Sequence, residues 1–234
     1  GRAGRSSGGG AERMSGPRRR LAILLSGRGS NFEAICDAIG DGRIPHAEIV
    51  AVISDVADAP GLLRAVERGL PAFPIPRGAE SRREHEEKIL SILAAARPDL
   101  ICLAGYMRIL SPHFIARYPG RILNIHPSLL PAFPGLHTHR QALAAGVKVH
   151  GATVHVVTPA LDNGPIVIQG VVPVLSDDNE ETLSQRVLEV EHRIYPQAVR
   201  WFVEGNIEFA AGGVVRVRGA GVKSDSLISP GKDA

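Results

Sequence analysis

The sequence predicts an α/β fold, an open and mostly parallel sheet with helices on both faces and an antiparallel C-terminal extension. Three observations carry this expectation. Wholly apolar short runs alternate with amphipathic stretches over the first 125 residues, the order of repeated strand–helix units. The runs LAILLSG and DLICLAG are continuous and close on glycine, as strands buried on both faces do. From residue 149 onward two adjacent segments alternate apolar and polar residues, which reads as a hairpin or as two strands flanking a loop.

Taken in order, LAILLSG (21–27) is the first strand, and SNFEAICDAIGDG follows as a helix with Phe32, Ile35 and Ile39 at helical spacing. AEIVAVISD (47–55) is the second strand, and a short helix starts near Pro60. PAFPIP (71–76) is too rich in proline for a central strand and is placed at an edge. Residues 80–96 return to the helical period through Ile89, Ile92, Leu93 and Ala96, and Pro98 stops them. DLICLAG (99–105), a short helix at 111–117 and the strand RILNIHP (121–127) complete the parallel part. The segments 149–158 and 164–174 are the alternating pair, 179–203 is the longest helix, and IEF with VVRVR forms a final small ribbon. No internal repeat is present. The chain divides into an arm (1–19) rich in Gly and Arg, a domain (20–209), and a tail (210–234) that is a short ribbon and then, like the arm, disordered.

The composition narrows the function. With 234 residues, 44% of them hydrophobic, the chain supports one domain with a sizeable core. Six arginines against one glutamate give residues 1–20 a net charge of +5, so the rest of a chain of formal charge +3 carries −2. The body is therefore no polyanion binder, and no nucleic-acid partner is expected. Neither a membrane-spanning run nor an apolar signal core is present, so the expected location is cytoplasmic, with no membrane partner. Cys36 and Cys102 lie in apolar segments and read as reduced core residues.

Two polar clusters carry chemistry. Ser26-Gly27-Arg28-Gly29-Ser30-Asn31 joins the first strand to the first helix, and a helix N-terminus with glycines before it is suited to an anion at Gly29, Ser30 and Asn31. Phe32 stands where a dinucleotide fingerprint needs its third glycine, and no Gly-Lys-Ser/Thr follows, so a monophosphate is favoured. The plain alternative is that Ser30 or Asn31 merely caps the helix. The second cluster is Asn124-Ile125-His126-Pro127 at the end of an apolar strand, where ligands of open α/β sheets bind. Two residues apart on a strand, Asn124 and His126 share a face. An amide can donate to a developing oxyanion and an imidazole can donate a hydrogen bond or a proton. Asp162 in LDNGP is the candidate to orient that imidazole and favour its charged form. Five histidines (126, 137, 139, 150 and 155) fall within 30 residues, but their spacing fits no common zinc pattern, with His137 and His139 in an apparent loop; no metal is expected.

The blocks LAGYMRILSP (103–112), LNIHPSLLPAFPGLHTHRQAL (123–143) and VHGATVHVVTPALDNGPI (149–166) resemble the folate-dependent formyltransferases. The resemblance runs from about residue 20 to 209, and SGRGSNF, PGLHTHRQAL and EHRIYP resemble the branch that formylates glycinamide ribonucleotide. It implies the Rossmann-like formyltransferase fold, 10-formyltetrahydrofolate as co-substrate and glycinamide ribonucleotide as acceptor. It also implies a place in purine synthesis, with a monomer or homodimer expected. By resemblance, Asn124, His126 and Asp162 match the catalytic trio, and Gly29, Ser30 and Asn31 match the loop for the substrate phosphate. Glu191 matches a carboxylate that holds the ribonucleotide. Met107, Arg108, Ile109 and Leu110 match a stretch lining the folate pocket, with Thr158, Pro159, Ala160, Leu161 and Asp162 on its other side and Asn124 between. Arg82 matches an arginine associated with the folate, at its acidic tail. Leu188 departs from the pattern, since some relatives place a polar residue near the ribonucleotide there.

Without the resemblance, Arg82 reads as a solvated helix face, Glu191 as an exposed carboxylate and Met107 as core. Direct transfer through a tetrahedral carbon is the expected mechanism. The alternatives are a formyltetrahydrofolate hydrolase, an initiator-tRNA formyltransferase, or a sugar-phosphate-binding module without catalysis. The short flanks, 19 residues before the domain and 25 after it, count against the first two, which carry extra domains.

Overall fold

A computed structural model describes residues 17–221. Fifteen elements follow in chain order. The parallel half is β1 (Arg19–Leu25), α1 (Ser30–Gly40), β2 (Ala47–Ser54), α2 (Pro60–Glu67), β3 (Ala72–Pro74), α3 (Arg82–Ala96), β4 (Leu100–Leu103), α4 (Pro112–Arg117) and β5 (Ile122–His126). After it come α5 (Thr138–Ala145), β6 (Val149–Val156), β7 (Ile166–Pro173), α6 (Glu180–Val203), β8 (Ile207–Ala210) and β9 (Val214–Val217). The seven-stranded sheet has the order β3-β2-β1-β4-β5-β6-β7, and β8 and β9 form a separate two-stranded ribbon. Neighbours from β3 to β5 run parallel, whereas β5–β6 and β6–β7 are antiparallel.

The alternation of side chains along β1 divides the interior in two. Leu21, Ile23 and Leu25 face a core shared with α1, α2, α5 and α6, while Ala22 and Leu24 face one shared with α3 and α4. Both faces are buried from Leu21 onward, which is why the strand is apolar there. Each large side chain fully buried in these layers, such as Phe32, Ile35, Ile89 or Phe114, contributes roughly 1.5–3 kcal/mol of transfer free energy.

Local signals set the helix ends. Ser81 and Glu84 form a reciprocal capping box at α3, and Asn179 with Thr182 does the same for α6. Inside α6 the hydroxyl of the fully buried Tyr195 lies 2.9 Å from the Leu103 carbonyl and 3.1 Å from that of Leu123. Its single proton is shared between neighbouring strands, so the longest helix is docked against the end of β4 and the first residues of β5.

The expected α/β architecture, the edge position of Pro-rich β3 and the C-terminal ribbon are all present. One expectation is corrected: of the apparent loop at 137–139, Thr138 and His139 open the helix α5, with His137 at its N-cap in the left-handed region (φ 55°). The two arms expected to be disordered, 1–19 and 219–234, lie almost wholly outside the described residues; Arg19 opens β1. Cys102 is buried and Cys36 half-buried, both as free thiols. Burial pushes Cys36 up to about 11 and Cys102 to about 12, so neither is a ready nucleophile. Among the described residues no helix is long and apolar enough to cross a membrane.

Candidate active site

The turn from β1 into α1 is shaped by glycine. Gly29 is the N-cap of α1 with φ 75°, and no side chain caps the helix. A Cβ on Gly29 would stand 2.7 Å from the Gly61 Cα, because the start of α2 packs directly against this turn, with the Gly61 N–H donating to the Gly27 carbonyl at 3.0 Å. The capping alternative for Ser30 and Asn31 therefore fails, and the N-terminal dipole of α1 remains available to an anion. The Asn31 side chain turns to α6 instead, donating through Nδ2 to Glu191 Oε2 at 3.4 Å.

Glu191 is buried, so it is not the exposed carboxylate that its neighbours on α6 imply. Burial pushes its carboxyl up to about 7, opposed only by the Asn31 hydrogen bond. Asn31 Oδ1 is buried with no partner among the described residues. The four residues expected at the ribonucleotide, Gly29, Ser30, Asn31 and Glu191, thus converge where α1 meets α6.

The second cluster forms at the end of β5. His126 is buried and its Nε2 lies 3.0 Å from the Phe133 carbonyl, so that nitrogen carries the proton and donates. Its Nδ1 lies 3.7 Å from Asp162 Oδ2, an ion-pair distance rather than a hydrogen bond. Both ring nitrogens therefore face oxygen acceptors. Asp162 also accepts from the Gly135 N–H at 2.9 Å, which ties its loop to the 127–137 segment.

The path of Asp162 to this place is indirect. β6 runs antiparallel to β5 with Val156 opposite Leu123, so the 157–165 loop leaves the sheet beside the start of β5. It doubles back by about three register positions, roughly 10 Å, to reach His126. Gly164 permits the return: a Cβ there would stand 1.7 Å from the Val156 carbonyl oxygen.

Asn124 sits opposite His155 in the register, its Nδ2 3.3 Å from His155 Nε2. His155 Nδ1 lies 3.2 Å from the Val156 carbonyl, which must accept, leaving Nε2 as the acceptor for the amide. Burial lowers His155 from its ordinary value and keeps it in that neutral form. The bond fixes which end of the Asn124 amide carries its hydrogens. Sequence reasoning singled out Asn124 but not His155, since only strand pairing reveals the contact.

The expected folate residues form a third group. Met107 and Ile109 are exposed, so Met107 is not core; Leu110 is buried. Arg82 donates through Nη2 to the Ile109 carbonyl and through Nε to Glu86 at 3.4 Å, so it braces this segment rather than forming a plain solvated face. A cavity of about 300 Å³ opens here, lined by Arg77, Arg82 and the segment 106–110 among others. Thr158, Pro159, Ala160 and Leu161 form the turn before Asp162, where Thr158 Oγ donates to the Ala160 carbonyl at 3.3 Å and Leu161 is exposed. His139 and His150, part of the histidine cluster, pair at 3.2 Å, and burial lowers His150 to about 4.

Comparison with known proteins decides the family. The model of the formyl transferase family matches residues 19–199, which contain every candidate site residue named above. The chain belongs to the formyl transferase family. Within it, the chain is 46% identical over 189 residues to phosphoribosylglycinamide formyltransferase of Escherichia coli (strain K12), covering 80% of this chain and 89% of that protein. Glycinamide ribonucleotide transformylase 1 from Symbiobacterium toebii superposes with a TM-score of 0.84 at 48% identity, over 91% of this chain and 99% of that one. Phosphoribosylglycinamide formyltransferase from Brucella melitensis is 54% identical with a TM-score of 0.74, over 80% of this chain and 96% of that one. The α/β architecture derived above is thus the fold of this family, and the expected family is borne out.

Proposed function

We propose that the protein transfers the formyl group of 10-formyltetrahydrofolate to the primary amine of glycinamide ribonucleotide, giving formylglycinamide ribonucleotide and tetrahydrofolate in purine biosynthesis. The observation that carries this reading is the His126–Asp162 pair at the end of β5, in a family member whose relatives bear that activity in their names. An uncapped helix N-terminus beside buried Glu191 supports a phosphorylated acceptor, and the exposed apolar side chains of Met107 and Ile109 support a flat, partly apolar donor.

In this reading the ribonucleotide phosphate lies on Gly29, Ser30 and Asn31, and Glu191 holds the sugar. The folate lies between 107–110 and 158–162, with Arg82 at its acidic tail. The amine attacks the formyl carbon, forming a C–N bond and placing negative charge on the former carbonyl oxygen. Asn124, oriented by His155, donates to that oxygen together with the Nδ1–H of protonated His126, the ring nitrogen that no hydrogen bond to the protein occupies. The bond from carbon to the folate nitrogen then breaks, and the proton lost by the amine reaches that nitrogen through groups ordered by Asp162. No covalent enzyme intermediate is needed, in keeping with the raised thiols of both cysteines. The protein acts in the cytoplasm through residues 20–209, as a monomer or homodimer.

The test is a steady-state assay following folate absorbance with and without the amine. Wild type should release tetrahydrofolate only when glycinamide ribonucleotide is present. Folate breakdown at the same rate without the amine would identify a hydrolase, and binding of both compounds without turnover would leave a binding module.

A further inference from the structure

Residues 105–111 form an irregular segment that follows β4 and carries exposed apolar side chains, so the sheet ladder does not hold it. The bonds that do hold its first half converge on one carboxylate. Asp55, at the end of β2, has a side chain only 5% exposed. It accepts from Ser26 Oγ at 2.5 Å and from Arg108 Nε at 2.6 Å. Ser26 Oγ in turn accepts from the Met107 N–H at 2.9 Å, and the Ser26 N–H donates to the Gly105 carbonyl at 3.1 Å. The ends of β1, β2 and β4 are thereby tied together through a group that no step of the proposed reaction uses.

We propose that Asp55 is a positioning residue for the folate side of the site, setting the 107–108 backbone through Ser26 and the Arg108 side chain by direct ion pairing. This rests on the assignment of residues 107–110 to the folate. A carboxylate suits the task because it accepts from two donors at once and holds a guanidinium by charge. An amide in its place still accepts from Ser26 but loses the charge. The Arg108 side chain, 35% exposed, is then free to leave for solvent. The effect should fall chiefly on the folate, since Asp55 touches the ribonucleotide loop only through Ser26 at its start, whereas the turn at Gly29 is set by its packing on Gly61.

The experiment compares wild type with Asp55→Asn, Ser26→Ala and the double variant. KM for 10-formyltetrahydrofolate, KM for glycinamide ribonucleotide and kcat are measured, together with calorimetric binding of tetrahydrofolate. For Asp55→Asn the folate KM and the tetrahydrofolate Kd should rise about tenfold or more, the scale of one lost charged hydrogen bond. kcat at saturating folate and the ribonucleotide KM should stay within about twofold. Ser26→Ala should raise the same two folate constants by less, and the double variant should fall short of the product of the single effects. Folate constants unchanged in folded Asp55→Asn, or an equal loss in kcat and both KM values, would overturn the proposal. Should Asp55→Asn fail to fold, an unchanged folate KM in Ser26→Ala overturns it equally. Wild type that turns over but binds no tetrahydrofolate at 107–110, judged by unaltered binding in Met107→Lys, would sink the underlying assignment instead.

Discussion

Glu191 is the residue whose physical state departs furthest from what its local sequence implies. Its neighbours Glu189 and Arg193 mark a solvated stretch of helix, but the helix turns position 191 inward against Asn31. Its carboxyl is raised from 4.5 to about 7, so the folded protein holds a proton there that the unfolded chain has already lost. Between pH 4.5 and about 7 the native state binds more protons, so this group makes stability fall as pH rises and contributes nothing further above that window. The cost at pH 8 is on the order of 3 kcal/mol. Glu191→Gln should therefore raise the melting temperature at pH 8 but not at pH 4, while weakening ribonucleotide binding. Thermal melts across pH check the first effect and KM the second; a variant melting below wild type at pH 8 would contradict the burial argument. None of this was legible before the fold was known, because burial of one helix face depends on what packs against it.

At the scale of elements, the turn into α1 and the helix docked on β4 and β5 make separate demands. Gly29→Ala places a side chain at a left-handed position costing about 1–2 kcal/mol, and pushes it into the Gly61 backbone as well. It should lower stability by more than that amount and raise the ribonucleotide KM, leaving the folate KM near that of wild type. Steady-state kinetics with each substrate varied in turn distinguishes this from a general loss. Tyr195→Phe removes the one hydroxyl bridging the Leu103 and Leu123 carbonyls and should cost about 1–3 kcal/mol in urea unfolding. A neutral result there would mean that α6 is docked by apolar contact alone.

The sheet was legible because parallel strands buried on both faces are largely apolar, and the runs 21–25, 49–53 and 100–103 carry no charged residue and no competing period. α5 was not: THRQALAA opens on polar residues, and His137 supplies a left-handed N-cap with no capping side chain. Asp162 lies 3.7 Å from His126, yet its route, from beside the start of β5 to its end, depends on an antiparallel register that spacing cannot express.

Over the whole molecule, the ends of β1, β2, β4 and β5 bring three groups to one side of the sheet. The anion turn and Glu191 lie at one end, the 106–110 segment with its cavity at another, and His126 with Asp162 at the end of β5. Direct transfer requires such an arrangement, since two reactants held together gain from proximity even when the acid–base group is removed. The central claim is that His126 serves the chemical step and neither binding step. Single-turnover transfer with both substrates saturating, wild type against His126→Ala, tests it most directly. The account predicts a fall of about 10²–10⁴ in the transfer rate with the Kd of each substrate little changed. Transfer at the wild-type rate in the folded variant, or a loss that more substrate restores, would contradict it.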